Sequence, residues 1–149
     1  MRAVVQRVSQ ASVTVDGEVI SQIGAGFLVL CGVFDYDEEA DAQWMARRIA
    51  NLRVFPDQDG KMNLSPLDVK AEILLISQFT LCADIKKGNR PSFTEAMEPA
   101  KAEAMLTALA RAIEGYGLTV KGGIFGAKMQ VSLVNDGPVT ILLDSRLFR

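Results

Sequence analysis

The sequence predicts a mixed α/β fold, a single domain spanning residues 1–149 in which two main helices lie on a mixed sheet. The chain is 149 residues long, about the size of one domain. Two short apolar runs, residues 27–31 and 73–76, are typical of strands covered on both faces. Two longer segments repeat apolar residues at helical spacing. The order strands, helix, strands, helix, strands differs from a regular doubly wound arrangement.

The first 31 residues predict three strands. Residues 1–15 alternate loosely and are rich in valine, and residues 18–23 resume the pattern. Asp16-Gly17 between these runs is a strong hairpin signal. Gly24 and Gly26 mark the next turn, and residues 27–31 follow as the first buried strand.

Two helices are expected. The first begins near Glu38, with Asp35 or Asp37 as its cap and with Met45, Ile49 and Leu52 on its apolar side. The second has Pro99 in its first turn and ends at Gly115 or Gly117, as the usual helix start and stop signals indicate.

The remaining strands are short. They are expected at residues 53–55, at 72–79, around Val120, at 129–134 and at 139–143, with Asn135-Asp136-Gly137-Pro138 separating the last two. Two helices are too few to cover both faces of such a sheet. An additional sheet or a partner subunit is therefore expected on the second face.

Composition excludes several function classes. The chain has no histidine, which removes Ser-His-Asp and Cys-His triads and most zinc sites, and we expect no metal and no cofactor. Cys31 and Cys82 lie in apolar sequence and are expected to be buried and unreactive. The formal charge of −2 argues against a broad nucleic-acid-binding surface. No apolar run approaches the ~20 residues of a membrane span, so a cytoplasmic protein without membrane contact is expected.

Polar residues at the end of the most apolar strand form the first candidate site. Ser77, Gln78, Phe79 and Thr80 follow residues 73–76 directly. Their hydroxyl and amide groups either bond to nearby backbone or line a pocket at the strand end. Thr80 as a nucleophile needs a base, and the motif contains none.

Two further segments each allow two interpretations. The segment from Asn135 to Thr140 is a turn, or a loop in which Gly137 and Pro138 bring the backbone close to a ligand. Lys86, Lys87 and Arg90 form a cationic loop that is either solvated surface or a phosphate contact.

Several motifs together resemble the D-aminoacyl-tRNA deacylase family. The resemblance covers residues 1 to about 143, and we assign nothing to residues 144–149. Its most specific parts are Ser-Gln-Phe-Thr at 77–80 and Asn-x-Gly-Pro-Val-Thr at 135–140. The other matching segments are Gln6-Arg7-Val8, Gly24-Ala25-Gly26, Met62-Asn63-Leu64, Arg90-Pro91-Ser92-Phe93 and residues 129–134.

The resemblance implies a homodimer that cleaves the ester between a D-amino acid and the 3′ end of tRNA, with glycine on alanine tRNA as a second substrate. Gly137-Pro138 would be a cis peptide that enters the partner subunit's pocket and acts there as a chiral filter. The inserted loop would also cover the open face of the sheet. Arg7 would support this loop.

The pocket itself would be lined by Ser77, Gln78, Phe79 and Thr80, with Phe125 and Met129 on the adenosine side. The ribose 2′-hydroxyl would assist the hydrolysis, which accounts for the lack of histidine. Lys86, Lys87 and Arg90 would contact tRNA phosphates.

Two other functions stay open. A nucleic-acid-binding module without hydrolase activity would need a larger basic surface. If the chain is a deacylase, no DNA partner is expected. A deacylase for a small acylated metabolite is the third possibility.

Overall fold

One long strand, β1 (Arg2–Val15), organises the fold because other strands pair along both of its edges. The structure is a computed structural model that describes residues 1–148. Arg149, the end of the segment 144–149, lies outside the described residues. The elements after β1 are β2 (Glu18–Ile23), β3 (Gly26–Gly32), α1 (Glu39–Ala50), β4 (Phe55–Pro56), β5 (Met62–Leu64), α2 (Pro66–Val69), β6 (Glu72–Ser77), a 3₁₀ turn (Phe79–Cys82), α3 (Pro99–Glu114), β7 (Thr119–Gly122), β8 (Gln130–Asp144) and α4 (Ser145–Phe148).

The main sheet is mixed, as the sequence predicts. Its order is β2-β1-β3-β6-β7, and β8 pairs with β1 along the other edge. The pairs of β1 with β2, β3 and β8 are antiparallel, whereas β3–β6 and β6–β7 are parallel. Strands β4 and β5 form a separate two-stranded ribbon. The parallel pairs bring the ends of β3 and β6 to the same edge of the sheet.

The two main helices, α1 and α3, cover one face of this sheet. Alternate residues of β3 and β6, such as Phe27, Val29 and Ile73, belong to the core beneath them. The side chain of Trp44 in α1 is buried as well. This confirms the two predicted helices and the buried strands at 27–31 and 73–76.

The second face is covered by the chain itself. Leu28, Leu74 and Ile76 point to this face and cluster with Val8 and Val13 of β1 and with Ile23 of β2. The hairpin closes over the sheet edge, since Ser21 Oγ donates to Gly122 O at 2.7 Å and Lys121 Nζ donates to Gln22 O at 2.9 Å. The folded-back β1–β2 hairpin therefore buries these residues within the chain, and cover of this sheet by a partner's loop stays a prediction.

The cap of α1 differs from the prediction. Neither Asp35 nor Asp37 caps the helix; Glu38 is the cap residue, and its N–H donates to Asp41 Oδ2 at 2.9 Å. The helix ends at Ala50, so Leu52 lies beyond it. The second helix ends at Glu114 and is followed by Gly115, as predicted.

Asp37 is engaged elsewhere. Its Oδ1 pairs with the Met1 ammonium at 2.5 Å, and its Oδ2 accepts from Phe34 N at 2.7 Å. The same ammonium donates to Ser145 Oγ at 2.7 Å. This ion pair joins residues distant in sequence, and a local capping pattern gives no sign of it.

The C-terminal strands also differ from the prediction. The expected strands at 129–134 and 139–143 are parts of one strand, β8, because both halves pair with β1. Gln6 pairs with Thr140 and Val8 with Asn135, so residues 136–139 bulge out opposite Arg7 alone. A bulge keeps a strand continuous while it displaces the extra residues from the ladder.

Smaller differences concern the other strands. The strand predicted over 72–79 ends at Ser77, because the chain turns into the 3₁₀ segment Phe79–Cys82. The short strand expected at 53–55 lies at Phe55–Pro56 and includes the proline. Cys31 and Cys82 are buried and free, as predicted. Within residues 1–148, no helix has the length and apolarity needed to cross a membrane.

Leu74→Ala tests whether the second face is an internal core. Leu74 has no exposed surface, so the substitution is expected to lower the free energy of unfolding by about 2–5 kcal/mol. Leu147→Ala is the matched control, because that side chain is 69% exposed and should change stability little. Urea unfolding measures both. Equal, small effects would contradict an internal second core.

Candidate functional site

A cavity of about 600 Å³ opens where β3 and β6 end. Three segments enclose it: the turn after β6, the start of α3 and the loop between β7 and β8. Its lining residues are Cys31, Val33, Ile76, Ser77, Gln78, Phe79, Phe93, Ala96, Met97, Glu98, Pro99, Ala102, Leu106, Phe125, Gly126, Ala127, Met129 and Val131. Most of these are apolar, and few polar groups face the space, which is the usual character of a small-molecule pocket.

The strand-end motif forms one wall of this cavity. Ser77 is the last residue of β6 and pairs with Cys31 of β3, and Gln78 N donates to Cys31 O at 2.8 Å. The Gln78 side-chain amide donates to the Thr80 hydroxyl. Ser77, Gln78 and Phe79 line the cavity, whereas Thr80 stands just outside the lining. Three of the four residues of the motif therefore line the cavity, and their role in binding stays a prediction.

Aromatic surface is exposed at the mouth. Phe79 is 59% exposed, although large apolar side chains are usually buried. Its ring meets that of Phe93 edge to face, with the ring centroids 5.0 Å apart. Phe125 and Met129 line the same cavity from the β7–β8 loop. A flat ring such as a nucleobase would find stacking partners here.

The described lining of this cavity holds one carboxylate, and that carboxylate is engaged by backbone groups. Among the lining residues in 1–148, Glu98 is the only carboxylate, and it accepts from Ala100 N and Lys101 N at the start of α3. Burial raises the pKa of the Cys31 thiol to about 12, so this cavity wall holds a neutral thiol. Among the described residues, no three His, Cys, Asp or Glu side chains are grouped to bind a metal.

The bulge in β8 is a second, separate feature. The Gly137–Pro138 peptide bond is cis, and both residues are exposed. The Asn135 side chain clamps the loop: its Oδ1 accepts from Val139 N at 2.7 Å and its Nδ2 donates to Val139 O at 3.1 Å. The same Nδ2 donates to Thr140 Oγ1 at 3.2 Å. Exposed tip residues thus stand on a hydrogen-bonded base.

The close approach of Val139 requires a glycine at position 137. A Cβ atom built on this residue lies 2.6 Å from Val139 N and 2.7 Å from Val139 Cγ2. Any side chain at this position therefore forces the loop to move.

Arg7 holds the bulge from β1. Its Nε donates to Asp136 O at 2.8 Å and its Nη1 donates to Val54 O at 2.5 Å. The Arg7 side chain is only 11% exposed. The guanidinium thus connects the loop to the segment before β4, whereas the role of this contact in a filter loop stays a prediction.

The structure does not unite the two candidate features within one chain. Neither Gly137 nor Pro138 is among the residues that line the 600 Å³ cavity. A further cavity of about 640 Å³, between β1, β2 and β8, contains no predicted site residue. Within the described chain, the pocket and the exposed loop are therefore separate features.

The cationic loop lies close to the mouth along the chain. Lys86, Lys87 and Arg90 are exposed, and within residues 1–148 none of them forms an ion pair. Asp84 and Ser92 pair as an isolated antiparallel bridge at the base of this loop. The chain then continues directly to Phe93 in the cavity wall.

Phe93, Asn135 and Glu98 contribute to these features but have no role in the sequence-based prediction. Phe93 and Asn135 belong to the matching motifs, but only the structure shows what they contact. Asparagine beside a Gly-Pro turn is a known signal for side-chain bonding to the local backbone. Glu98 precedes Pro99 at the predicted helix start, where an acidic cap is common.

The chain resembles proteins of known family. Residues 4–144 match the family described as D-Tyr-tRNA(Tyr) deacylase. A D-aminoacyl-tRNA deacylase of Desulfitobacterium hafniense is 58% identical over 145 residues, which cover 97% of this chain and 97% of the relative. One from Roseiflexus castenholzii is 56% identical over 149 residues, covering 100% of this chain and 95% of the relative.

Two solved structures share the fold. One, described as c-Myc DNA Unwinding Element Binding Protein, has a TM-score of 0.91 at 47% identity and covers 97% of this chain and 98% of that one. The other, described as a probable eukaryotic D-amino acid tRNA deacylase, has a TM-score of 0.80 at 15% identity and covers 95% and 97%. The second likeness concerns the fold alone, and it agrees with the fold implied by the sequence motifs.

Arg7→Gln is expected to loosen the bulge. The substitution removes charge-assisted hydrogen bonds to two backbone carbonyls, so the free energy of unfolding should fall by about 1.5–3 kcal/mol. Amide hydrogen exchange at Val139 should become faster. Arg111→Gln, on the exposed side of α3, serves as the control and should change neither quantity. Unchanged exchange at Val139 would mean that Arg7 does not hold the loop.

Proposed function

The chain belongs to the D-Tyr-tRNA(Tyr) deacylase family and is a hydrolase, and on that premise we propose that it cleaves the ester joining a D-amino acid to the 3′ end of tRNA. The products are free D-amino acid and tRNA. The observation that carries this proposal is the cavity at the end of β6, which combines Ser77 and Gln78 with aromatic rings, of which Phe79 is exposed. The reaction is expected in the cytoplasm, where charged tRNA is used.

The terminal adenosine occupies the aromatic side of the cavity. Base stacking on an aromatic side chain contributes about 1–3 kcal/mol per base, and Phe79 and Phe125 both offer ring surface. Met129 lines the same cavity and offers an adaptable apolar contact. The hydroxyl of Ser77 and the amide of Gln78 face the aminoacyl group as hydrogen-bonding partners.

The tRNA backbone is contacted by the loop that leads to Phe93. Lys86, Lys87 and Arg90 are exposed and free of ion pairs within the described chain, so they can face phosphates without losing another partner. A short cationic loop suits a protein of net charge −2 that holds only the end of its substrate.

The chemistry relies on the substrate's own hydroxyl. The ribose 2′-hydroxyl lies beside the ester carbonyl and can take part in the proton transfer as water attacks. The carbonyl carbon then gains the water oxygen, its bond to the ribose 3′-oxygen breaks, and that oxygen takes the proton. The protein orients the ester, and backbone N–H groups stabilise the oxyanion. Thr80 is not the nucleophile, because its hydroxyl is bonded to the Gln78 amide, which is no base.

Chirality is controlled by the loop of a partner subunit. Gly137 and Pro138 are exposed on a clamped bulge, while the cavity of the same chain lacks them. In a homodimer each loop enters the other subunit's pocket, where its backbone leaves no room for an L side chain. Rejection of the wrong partner by steric conflict is an effective route to specificity. Glycine has no side chain to reject, so glycyl-tRNA(Ala) is a second substrate.

A DNA-binding role is the second candidate function. It is favoured by one observation, the name of the 47% identical structure, c-Myc DNA Unwinding Element Binding Protein. A module of this kind should bind duplex DNA with a steep dependence on salt.

Stereospecific deacylation is the direct test of the proposed function. The protein is incubated with one tRNA charged with D-tyrosine, the same tRNA charged with L-tyrosine, and glycyl-tRNA(Ala), and released amino acid is measured. Release from the D and glycine substrates alone supports the proposal. DNA binding without hydrolysis would support the second candidate, and equally fast cleavage of a small D-amino acid ester would support a metabolite deacylase.

A substrate ending in 2′-deoxyadenosine locates the catalytic group. With the amino acid on the 3′-hydroxyl, this tRNA should bind with similar affinity but react about 10²–10⁴-fold more slowly, the usual contribution of a proton-transfer catalyst. Single-turnover deacylation and a filter-binding assay separate the two effects. Normal turnover of the deoxy substrate would place the base among the lysines and carboxylates of the protein.

Gly137→Ala tests the filter loop. The added Cβ meets the backbone and side chain of Val139, so the loop must move out of the partner's pocket. Misplacement by about 1 Å can cost on the order of 10²-fold in rate, and we expect D-aminoacyl-tRNA turnover to fall by that order or L substrates to be accepted.

Gly24→Ala is the matched control, because a Cβ there meets only Glu72 Oε2 at an ordinary 3.7 Å. Sedimentation of both variants checks that the oligomeric state is unchanged. If Gly137→Ala keeps the wild-type rate and chirality, the segment is only a turn.

A further inference from the structure

Arg2 connects the edge of the sheet to the turn that follows β6. Its Nε donates to Asp144 Oδ2 at 2.9 Å, and its Nη1 donates to Leu81 O at 2.9 Å. The guanidinium carbon lies 5.1 Å from the centroid of the Phe34 ring. One guanidinium thus joins the end of β8 to the 3₁₀ turn Phe79–Cys82.

The turn is confined on a second side by Gly32. A Cβ atom on this glycine would lie 2.8 Å from Gln78 O and 3.1 Å from Cys82 Sγ, so the turn packs directly on the backbone of β3. Gly32 is also the register partner of Arg2 in the β1–β3 pair. The turn therefore packs against the cross-strand pair of Arg2 and Gly32. Gly32 lies beneath the turn, and Arg2 donates to the Leu81 carbonyl within it.

The anchor of Arg2 is itself fixed. Asp144 pairs with Arg2 in the β1–β8 ladder, and its side chain is 1% exposed. Its Oδ1 accepts from Arg146 N at 3.0 Å. A planar guanidinium can bond two acceptors at once in a set geometry, whereas an ammonium acts as a point charge. Arg2 can thus hold the Leu81 carbonyl at a fixed position relative to the sheet.

Resting on the proposed function, we propose that Arg2 is a positioning residue for the hydrolysis: through Leu81 it fixes the turn that carries Gln78 and Phe79 into the cavity. Arg2 is absent from the cavity lining and does not touch the substrate. Its main contribution lies in keeping Gln78 aligned with the ester, so it affects the chemical step more than substrate binding, to which Phe125 and the cationic loop contribute from outside this turn.

Steady-state kinetics of Arg2→Gln separate positioning from a purely structural role. We expect kcat on D-tyrosyl-tRNA to fall about 10-fold, with KM within about 2-fold of wild type, because misalignment lowers the rate of a bound substrate. Arg2→Lys keeps the positive charge near Asp144 but lacks the planar guanidinium that bonds Asp144 and Leu81 together. Compared with Arg2→Gln, it should therefore restore thermal stability without restoring kcat. A structural role alone predicts that rate and stability recover together.

Arg146→Gln is the matched control. This guanidinium lies 3.8 Å from the centroid of the Tyr36 ring, which stacks on Phe34 beside Arg2. Within the described chain its hydrogen bond goes to the Tyr36 hydroxyl and not to the turn. It should leave kcat unchanged. Wild-type kcat in Arg2→Gln, or a change confined to KM, overturns the proposal. If Arg2→Gln does not fold, Arg2→Lys decides: wild-type kcat in that variant also overturns it.

Amide hydrogen exchange keeps the test independent of activity. Peptides covering residues 78–84 should exchange faster in Arg2→Gln and Arg2→Lys than in wild type, and at the wild-type rate in Arg146→Gln. If wild-type protein fails to hydrolyse D-tyrosyl-tRNA, the proposed function is wrong, and the exchange data still decide whether Arg2 fixes the turn. Unchanged exchange in both Arg2 variants overturns the inference even when the enzyme is active.

Discussion

Hydrogen bonding along both edges of β1 is the constraint on which the rest of the structure depends. The first half of the strand pairs with β3 and the second half with β2, while β8 follows the whole length. A strand so enclosed cannot shift register without turning its buried side chains to the wrong face. Arg2 and Arg7 both leave this strand, five residues apart and hence on opposite faces. One contacts the turn at the cavity and the other contacts the bulge of β8, so a single strand holds both features in place.

Local sequence signals were sufficient for much of this arrangement. Apolar runs predicted the buried strands, and helical spacing predicted α1 and α3. The polar strand end left open whether Ser77 and Gln78 bond to nearby backbone or line a pocket. The errors concern interactions between distant residues. Asp37 has the features of a helix cap, but the Met1 ammonium binds it instead. The two C-terminal strands are continuous because β1 pairs with both halves, and no pattern within residues 129–143 shows that. The cover of the second face depends on how β1 and β2 fold back, which is a property of tertiary packing.

The pocket and the bulge obtain their shapes from different kinds of interaction. The pocket is mostly apolar and open, with an exposed ring at its mouth, and it gains its shape from strand ends and a helix start. The bulge has little apolar burial at its tip, and its shape comes from hydrogen bonds made by Asn135 and Arg7. A surface loop held by polar bonds alone is usually mobile, so several bonds to backbone atoms are needed to give it one conformation. Exclusion of a substrate by shape requires such a fixed conformation.

The interruption of β8 has a consequence for solubility. In the described chain β8 pairs only with β1, so one side of a 15-residue strand carries unpaired backbone groups. Long regular edges of this kind recruit other chains and lead to open-ended assembly. The displaced residues 136–139 divide that edge into two short pieces, and Pro138 contributes no N–H to an incoming strand. The feature that presents Gly137 and Pro138 at the surface therefore also protects the protein against uncontrolled sheet extension.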